Sequence, residues 1–188
     1  MKIEFPYGET TLNFTLDDEL KVDVVRAKPE EPVPNPKEKI AKSLRNPKFS
    51  KPLPKILNDK GDGKVCIVIS DSTRPVPSKN IVEPILELCE EVRIPDDQIQ
   101  ILIATGLHRK TTPTELKRIL GDEIVLRYDI INHVAEDEDS LAYLGENSFG
   151  NSIYLNKTYL NAAVKIITGY VEPHFFAGFS GGRKSIVP

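Results

Sequence analysis

Apolar and polar residues alternate along the first part of the chain, and this alternation predicts short strands. Between residues 1 and 26, Ile3 and Phe5 begin a period of two that continues to Val24. Such a period is typical of half-buried strands joined by turns. We therefore expect a strand-rich N-terminal segment.

The next segment contains the residues of connectors and of one short helix. Residues 28–36 include four prolines and two glutamates, a composition that favours an extended connector. Asn35-Pro36 then predicts the cap and first turn of a helix that runs to about Leu44. Residues 46–63 are again rich in proline, lysine and glycine, with one helical turn expected near Ile56.

From residue 64 onward, continuous apolar runs alternate with stretches of helical periodicity. Residues 65–69 form an unbroken apolar run, which is typical of a parallel strand covered on both faces. Apolar residues recur at helical spacing from Ile81 to Val92, and Thr112 with Glu115 predicts a capping box at the start of a second helix. Further strands are predicted at residues 99–104, 128–134, 152–155 and 164–168.

This order of elements predicts an α/β fold with a Rossmann-like, doubly wound, mostly parallel sheet. A small β-rich N-terminal extension precedes the sheet. We place the strand-rich start and the first helix in residues 1–47 and the α/β core in residues 64–188.

Composition narrows the classes of function. The 188 residues carry a formal net charge of −3, so we expect no nucleic-acid partner. No apolar stretch approaches the roughly 20 residues that span a membrane, and the first residues do not have the pattern of a secretory signal. Cys66 and Cys89 are predicted to be reduced core residues. We expect a cytoplasmic protein without a membrane partner.

The residues suited to chemistry follow the predicted strands. In doubly wound sheets, ligands bind beyond the carboxyl ends of the strands. All three histidines of the chain, His108, His133 and His174, fall at such ends. The segments that follow the strands, SDSTRP at 70–75, TGLHR at 105–109 and the glycine-rich run at 169–184, also hold most clusters of Asp, Arg, Lys and Gly.

The glycine-rich run at 169–184 contains the residue types of an anion-binding site. Its glycines at 178, 181 and 182 allow positive φ and a close approach of the backbone to a ligand. If a helix begins at Ser180, its free N–H groups form an anion site to which Arg183 and Lys184 add full charges.

Each candidate also has a purely structural interpretation. Asp71 and Arg74 fit a cap and a surface charge for a helix that begins near Ser78. His108 fits a loop histidine as well as an acid/base group. We favour a structural or supporting role for His133, because an acidic run follows it. His174 precedes two phenylalanines, which predict a partly desolvated imidazole.

Two general chemistries fit poorly. GFSGGRKS at 178–185 has the length of a nucleotide phosphate loop, but Arg183 takes the place of the second glycine. The preceding strand also ends ten residues before Gly178. A three-histidine metal hydrolase stays possible without support, because no two histidines have the usual ligand spacing.

The three strand-end segments together carry a specific family resemblance. SDSTRP, TGLHR and GYVEPHFFAGFSGGRKSIVP closely resemble the lactate racemase family that uses a nickel-pincer nucleotide, and the resemblance covers the whole chain in order. It implies a 2-hydroxyacid racemase, a nickel-dependent isomerase. Its cofactor would be a pyridinium-3-thioamide-5-thiocarboxylic acid mononucleotide with nickel, attached covalently to Lys184 and supplied by cofactor-synthesis enzymes.

The resemblance also implies roles for individual residues. His108 and His174 would be the two acid/base groups, and Arg74 would hold the carboxylate of a small 2-hydroxyacid. The residues that we assign to cofactor binding are Lys184, Asp71, Thr73, Ser180, Gly181, Gly182 and Arg183.

The chemistry of inversion agrees with these roles. Lactate can be racemised if its C–H hydrogen leaves as hydride while a base takes the hydroxyl proton, because planar pyruvate then forms without a carbanion. None of the twenty side chains accepts hydride, so a cofactor is required. Two histidines on separate strand ends can flank one substrate.

One departure from the family pattern limits the prediction. The family supplies a further histidine ligand to nickel and a second domain, and both would lie beyond Pro188. We therefore expect residues 1–188 to be the N-terminal, cofactor-anchoring domain of a two-domain enzyme, with no nickel ligand of its own and little activity alone. The alternatives are racemisation or epimerisation of another 2-hydroxyacid, or a non-catalytic homologue that binds a nucleotide or sugar acid.

Overall fold

The structure is a computed structural model that describes residues 1–26 and 28–187. It divides into two compact units, residues 1–34 and the residues from Asn35 onward. Pro188, the last residue of the third family segment, lies outside the described residues.

Strands and α-helices, with a few short 3₁₀ turns, make up the secondary structure of the described residues. The strands are β1 Lys2–Tyr7, β2 Thr10–Thr15, β3 Val65–Ser70, β4 Ile99–Ala104, β5 Asp129–Asn132, β6 Leu141–Glu146, β7 Ser152–Asn156, β8 Val164–Ile167, β9 Pro173–His174 and β10 Gly178–Phe179. The helices are α1 Pro36–Arg45, α2 Leu53–Asn58, α3 Ser78–Glu91, α4 Pro113–Leu120, α5 Asp122–Arg127 and α6 Lys157–Asn161.

The first unit contains an antiparallel hairpin of β1 and β2. Tyr7 pairs with Thr10, so Gly8 and Glu9 form the turn, and Gly8 has a φ of 59°. This confirms the predicted strand-rich start. The strand expected near Val24 does not form, because the chain turns at Asp17 and residues 20–26 have no pairing partner among the described residues.

The second unit is built on a four-stranded parallel sheet in the order β5-β4-β3-β8. The predicted α/β class and parallel sheet are therefore confirmed. The central strand β3 is hydrogen-bonded on both sides, by β4 and by β8. Both of its faces are covered, which explains the unbroken apolar run in its sequence.

Two apolar layers cover the sheet. One face packs against the helices α1 to α5 through a large cluster that includes Ile67, Ile101, Val82 and Leu88. The other face carries Cys66, Val68 and Leu102, and α6 lies against it. Burial raises the pKa of both thiols, Cys66 to about 11 and Cys89 to about 12, so both stay neutral core residues.

Several predicted details differ from the structure. The strand predicted at 152–155 does form, as β7, but it pairs with β6 outside the parallel sheet, and β6 was not predicted. Asn35 has a φ of 50° and makes no capping hydrogen bond through its side chain, although Pro36 does begin α1. Helix α1 packs on α3 and so belongs to the α/β unit rather than to the hairpin with which we grouped it.

Other predicted details are confirmed. Thr112 and Glu115 form both hydrogen bonds of a capping box at the start of α4. The helical turn near Ile56 is α2. Among residues 1–26 and 28–187, no helix combines the length and apolar character that a bilayer crossing needs.

Ile67 tests the importance of the buried central strand. Its side chain is completely buried, so Ile67→Ala should lower the free energy of unfolding by about 2–5 kcal/mol. Leu126→Ala is the control, because Leu126 is 82% exposed on a helix, and its effect should stay within about 0.5 kcal/mol. Urea unfolding measures both values. Equal effects of the two variants would contradict this description of the core.

Candidate functional site

A cavity of about 620 Å³ lies at the carboxyl ends of the parallel strands. It is formed by the loops that follow β3, β4 and β8, together with residues from the segment after β5 and from β7 and α6. The predicted site residues in its lining are Asp71, Arg74, His108, His174, Ser180, Gly181 and Lys184. The topology therefore brings together residues that are more than 100 positions apart.

Asp71 is the first residue after β3 and is only 4% exposed. Its Oδ1 accepts hydrogen bonds from the backbone N–H of Thr73 at 2.7 Å and from the Thr73 hydroxyl at 2.6 Å. Its Oδ2 lies 2.7 Å from Nδ1 of His108. Burial acts to raise the pKa of Asp71, but the hydrogen bonds from Thr73 and His108 outweigh it and hold this pKa below its usual range.

These contacts decide between the two interpretations of Asp71. A helix-capping role is excluded, because the residue before α3 is Pro77 and no side chain caps that helix. Instead the carboxylate joins the loop after β3 to the loop after β4. An ionised carboxylate can only accept, so Nδ1 of neutral His108 carries the proton and its Nε2 carries the lone pair.

The loop that carries His108 is held at both ends. The backbone N–H of His108 donates to the carbonyl of Thr105 at 3.0 Å, in a turn where Gly106 has a φ of 57°. At the far end, the side-chain amide of Asn132 accepts from the N–H of Thr111 at 2.8 Å and donates to its carbonyl at 3.2 Å.

Arg109 has a structural role in the same loop. Its guanidinium donates two hydrogen bonds to Glu115, at 2.9 and 2.7 Å. Hydrogen bonds from Arg109 and from Thr112 hold the pKa of Glu115 far below its usual range. Arg109 therefore connects the loop to the capping box of α4, and it does not line the cavity.

The glycine-rich segment does not begin an α-helix, so the condition for an anion site at a helix N-terminus from Ser180 is not met. Strands β9 and β10 pair as a small hairpin, and a four-residue 3₁₀ turn follows at Gly182–Ser185. The φ values of 72° at Gly181 and 53° at Gly182 interrupt helical backbone. A Cβ on Gly181 would lie 2.7 Å from the carbonyl oxygen of Tyr170, so only glycine fits there.

The side chain of Ser180 stabilises this hairpin. Its hydroxyl accepts from the backbone N–H of Glu172 at 3.0 Å and donates to the carbonyl of Tyr170 at 3.1 Å. The backbone N–H of Ser180 in turn donates to the Glu172 carbonyl at 2.9 Å. The hydroxyl therefore has no free proton for a ligand in this arrangement.

His174 lies at the start of the hairpin turn. Its Nδ1 accepts a hydrogen bond from the backbone N–H of Ala177 at 3.3 Å, so neutral His174 carries its proton on Nε2. Phe175 stacks on the imidazole and Phe176 meets it edge-on, with centroids 5.2 and 4.4 Å away. Both phenylalanines are themselves largely exposed. They therefore shield the imidazole of His174 from water less than the sequence predicts.

The remaining predicted residues divide into two groups. Arg74 is exposed and lines the cavity, and Lys184 is half-buried and lines it as well. Thr73, Gly182 and Arg183 do not line it. Thr73 nevertheless supports the site through Asp71, whereas Gly182 and Arg183 lie exposed on the 3₁₀ turn.

Sequence reasoning missed part of the lining. His133, for which we favour a structural or supporting role, lies in the cavity wall together with Asn156, Tyr154 and Tyr159. The position of His133 after a strand was a usable signal. Nothing in the local sequence of Asn156 marked it as a cavity residue. Among the described residues, no group of three or more His, Cys, Asp or Glu side chains is arranged to hold a metal ion.

Comparison with known proteins identifies the family. The family model of the lactate racemase N-terminal domain matches residues 7–188. The chain belongs to this family.

Its relatives include longer lactate racemases. It is 39% identical over 188 residues to lactate racemase from Lactiplantibacillus plantarum and 38% identical over 192 residues to that from Thermoanaerobacterium thermosaccharolyticum. Each alignment covers 99% of this chain but only 44% and 43% of the relative. The chain thus spans less than half the length of these racemases.

Solved structures confirm the fold. The lactate racemase apoprotein from T. thermosaccharolyticum superposes with a TM-score of 0.78 at 36% identity, covering 100% of this chain and 43% of that one. A Thermotoga maritima protein shares the fold with a TM-score of 0.61 at 24% identity, covering 80% of this chain and 37% of that one. The two-domain organisation of the whole enzyme stays a prediction for this chain of the lactate racemase family.

Asp71→Asn tests the carboxylate that connects the loop after β3 to the loop after β4. Asparagine keeps one accepting oxygen, but its amide nitrogen cannot accept, so the hydrogen bonds from Thr73 or the one from His108 are lost and the variant should lose roughly 1–3 kcal/mol of unfolding free energy at pH 7. The folded pKa of Asp71 is depressed, so its stabilisation is present above about pH 4 and is lost as pH falls through the folded pKa.

Chemical unfolding of wild type and variant between pH 7 and pH 2.5 measures this difference. The difference in unfolding free energy between wild type and Asp71→Asn should shrink as the pH falls. The exposed control Asp62→Asn should have nearly the unfolding free energy of wild type at every pH. A difference between wild type and Asp71→Asn that is independent of pH would contradict an ionised Asp71.

Proposed function

We propose that this chain forms the cofactor-binding and acid/base part of a 2-hydroxyacid racemase, with D- and L-lactate as its substrates. The observation that supports the proposal most strongly is the shared cavity. Its lining contains the imidazole of His108 bonded to Asp71, the imidazole of His174, the guanidinium of Arg74 and the side chain of Lys184. Cytoplasmic location and cofactor-synthesis enzymes as partners remain predictions.

The residues present fit a nickel-pincer mononucleotide. The cavity volume of about 620 Å³ lies in the range of small-molecule and cofactor sites. Lys184 reaches the cavity, and within the described chain its side-chain nitrogen has neither an ion pair nor a hydrogen bond, so after loss of a proton the neutral amine could form the covalent bond to the cofactor. Arg183 is adjacent in sequence, but it is exposed and outside the cavity lining, so its assignment to the nucleotide phosphate rests on the family resemblance alone. When bound, the cofactor would accept and return the hydrogen on C2 of lactate as hydride.

Arg74 would hold the substrate carboxylate. It lies in the cavity lining, in a loop with Pro75 and Pro77. The N–H of Arg74 donates to the Asp71 carbonyl at 3.2 Å, and its own carbonyl accepts from Val76 at 2.8 Å. A guanidinium on such a restrained loop can bind a carboxylate through two parallel hydrogen bonds.

His108 would be the base that takes the hydroxyl proton of one enantiomer. Its Nδ1 donates to Asp71, so Nε2 has the lone pair that this step needs. The carboxylate also fixes the direction in which the imidazole faces. Asp71 is thus a positioning residue that prepares His108 without touching the substrate.

His174 would serve the opposite enantiomer, and its hydrogen bond to Ala177 gives this step an additional requirement. With Nδ1 accepting from Ala177, neutral His174 presents an Nε2–H that can donate a hydrogen bond to the substrate oxygen. To transfer that proton, the ring must first gain a proton on Nδ1, which requires the Ala177 contact to break. We therefore expect the hairpin turn at 174–177 to move during turnover.

Mass spectrometry of the intact chain tests the cofactor assignment. After expression with the cofactor-synthesis enzymes, wild type should carry a covalent adduct that Lys184→Ala lacks, because the side-chain amine is the point of attachment. Lys110→Ala is the matched control, since Lys110 is exposed, close to the His108 loop in sequence and absent from the cavity lining. An unchanged adduct on Lys184→Ala would refute the assignment.

Single-turnover kinetics test the two histidines in the full-length, cofactor-loaded enzyme. His108→Ala should slow pyruvate formation from one lactate enantiomer by roughly 10²–10⁴, the usual contribution of a general base. His174→Ala should show the opposite preference. Acid-quenched mixtures with pure D- or L-lactate measure both. Steady-state racemisation cannot separate the two effects, because the equilibrium constant fixes the ratio of kcat/KM in the two directions.

Equal losses for both enantiomers in both variants would mean that these imidazoles orient the substrate. The proton would then go to another group.

A further inference from the structure

The cavity contains a third imidazole whose tautomer is determined by its neighbours. His133 follows β5, is half-buried and lines the cavity. Its backbone is held on both sides, because its N–H donates to the carbonyl of Ile103 at 3.1 Å and its carbonyl accepts from the hydroxyl of Thr105. The backbone that carries the imidazole is therefore held in place at the edge of the sheet.

Asn156 determines which nitrogen of His133 carries the proton. The N–H of Thr158 donates to Oδ1 of Asn156 at 2.9 Å, at the start of α6. This bond needs an oxygen as acceptor and so fixes the orientation of the amide. The amide nitrogen then faces Nδ1 of His133 at 3.3 Å. Since that nitrogen can only donate, Nδ1 is the acceptor and the proton of neutral His133 lies on Nε2.

The surroundings of the imidazole keep it neutral. Burial lowers the pKa of His133, and Glu136 opposes this shift only in part. Asn156 is itself 8% exposed, so the contact between the two side chains is shielded from water. His133 can therefore donate one hydrogen bond from Nε2 without carrying a charge.

The nearby wall differs from the part of the cavity assigned to the substrate. Val68, Leu102 and Tyr159 belong to the apolar cluster between the sheet and α6, and all three also line the cavity. An apolar and aromatic wall with one neutral donor suits a flat heteroaromatic group that carries an oxygen. A small 2-hydroxyacid already has Arg74, His108 and His174 as partners under the proposed function.

We propose that His133, held by Asn156, is a neutral hydrogen-bond donor to an acceptor oxygen of the bound mononucleotide. Its role is binding and orientation, and it transfers no proton. The proposal rests on the proposed function only in the choice of ligand, because the tautomer follows from the contacts of the chain itself.

Nitrogen-15 NMR of histidine-labelled protein tests both parts at pH 8.5. Without ligand, the Nδ1 signal of His133 should have the shift of an unprotonated nitrogen and the Nε2 signal that of a protonated one. Nicotinic acid mononucleotide should move the Nε2–H signal, and sodium L-lactate should not. His133→Phe should weaken mononucleotide binding about three- to tenfold, the size of one neutral hydrogen bond.

Asn156→Asp is the matched variant because it keeps the oxygen that caps α6. Its second oxygen can only accept, so the proton of His133 should move to Nδ1 and mononucleotide affinity at pH 8.5 should fall by at least about threefold. Lowering the pH to 6 should restore the affinity, because a doubly protonated ring donates from Nε2 again.

The proposal is overturned by a proton on Nδ1 in wild type, by no binding of the mononucleotide, by affinity unchanged in both variants, or by an Nε2 response to lactate instead. Failure of the proposed function would appear separately, as a missing adduct on Lys184.

Discussion

Burial of β3 on both faces is the constraint on which the site depends. Because the strand is hydrogen-bonded to β4 and β8 and covered by two apolar layers, its position and register are fixed. The next residue, Asp71, therefore emerges at a defined point. Parallel neighbours end at the same edge, so the loops with His108 and with the glycine-rich segment meet there without any special local sequence.

Polar contacts at that edge of the sheet hold the histidine side chains and their loops in defined orientations. Three buried or half-buried side chains each determine the state of an imidazole or its loop: Asp71 acts on His108, Asn132 on the loop that follows His108, and Asn156 on His133. His174 has only a backbone N–H on an exposed turn. The site thus combines two imidazoles held by side chains with one on a less restrained hairpin, which fits a role for His174 that requires movement.

Much of the fold could be predicted because its signals are local. Val65–Ser70 is buried on both faces, and Thr112 with Glu115 caps α4 through residues three positions apart. The pairing of β6 with β7 could not be predicted, because β6 mixes exposed and half-buried side chains without a clear period and the pair lies outside the parallel sheet. No helix begins at Ser180, because Gly181 and Gly182 have positive φ, and the sequence shows only that glycine permits this conformation.

The central claim of the proposed function is that His108 and His174 act on the hydroxyl proton of the substrate and not on its C–H bond. Racemisation of L-lactate labelled with deuterium at C2 by the full-length, cofactor-loaded enzyme in ordinary water tests it directly. Mass spectrometry of the D-lactate formed should show that the deuterium remains on C2, because hydride transfer does not exchange with solvent. Replacement of the deuterium by solvent hydrogen would show that a side chain removes the C2 proton and would contradict the account.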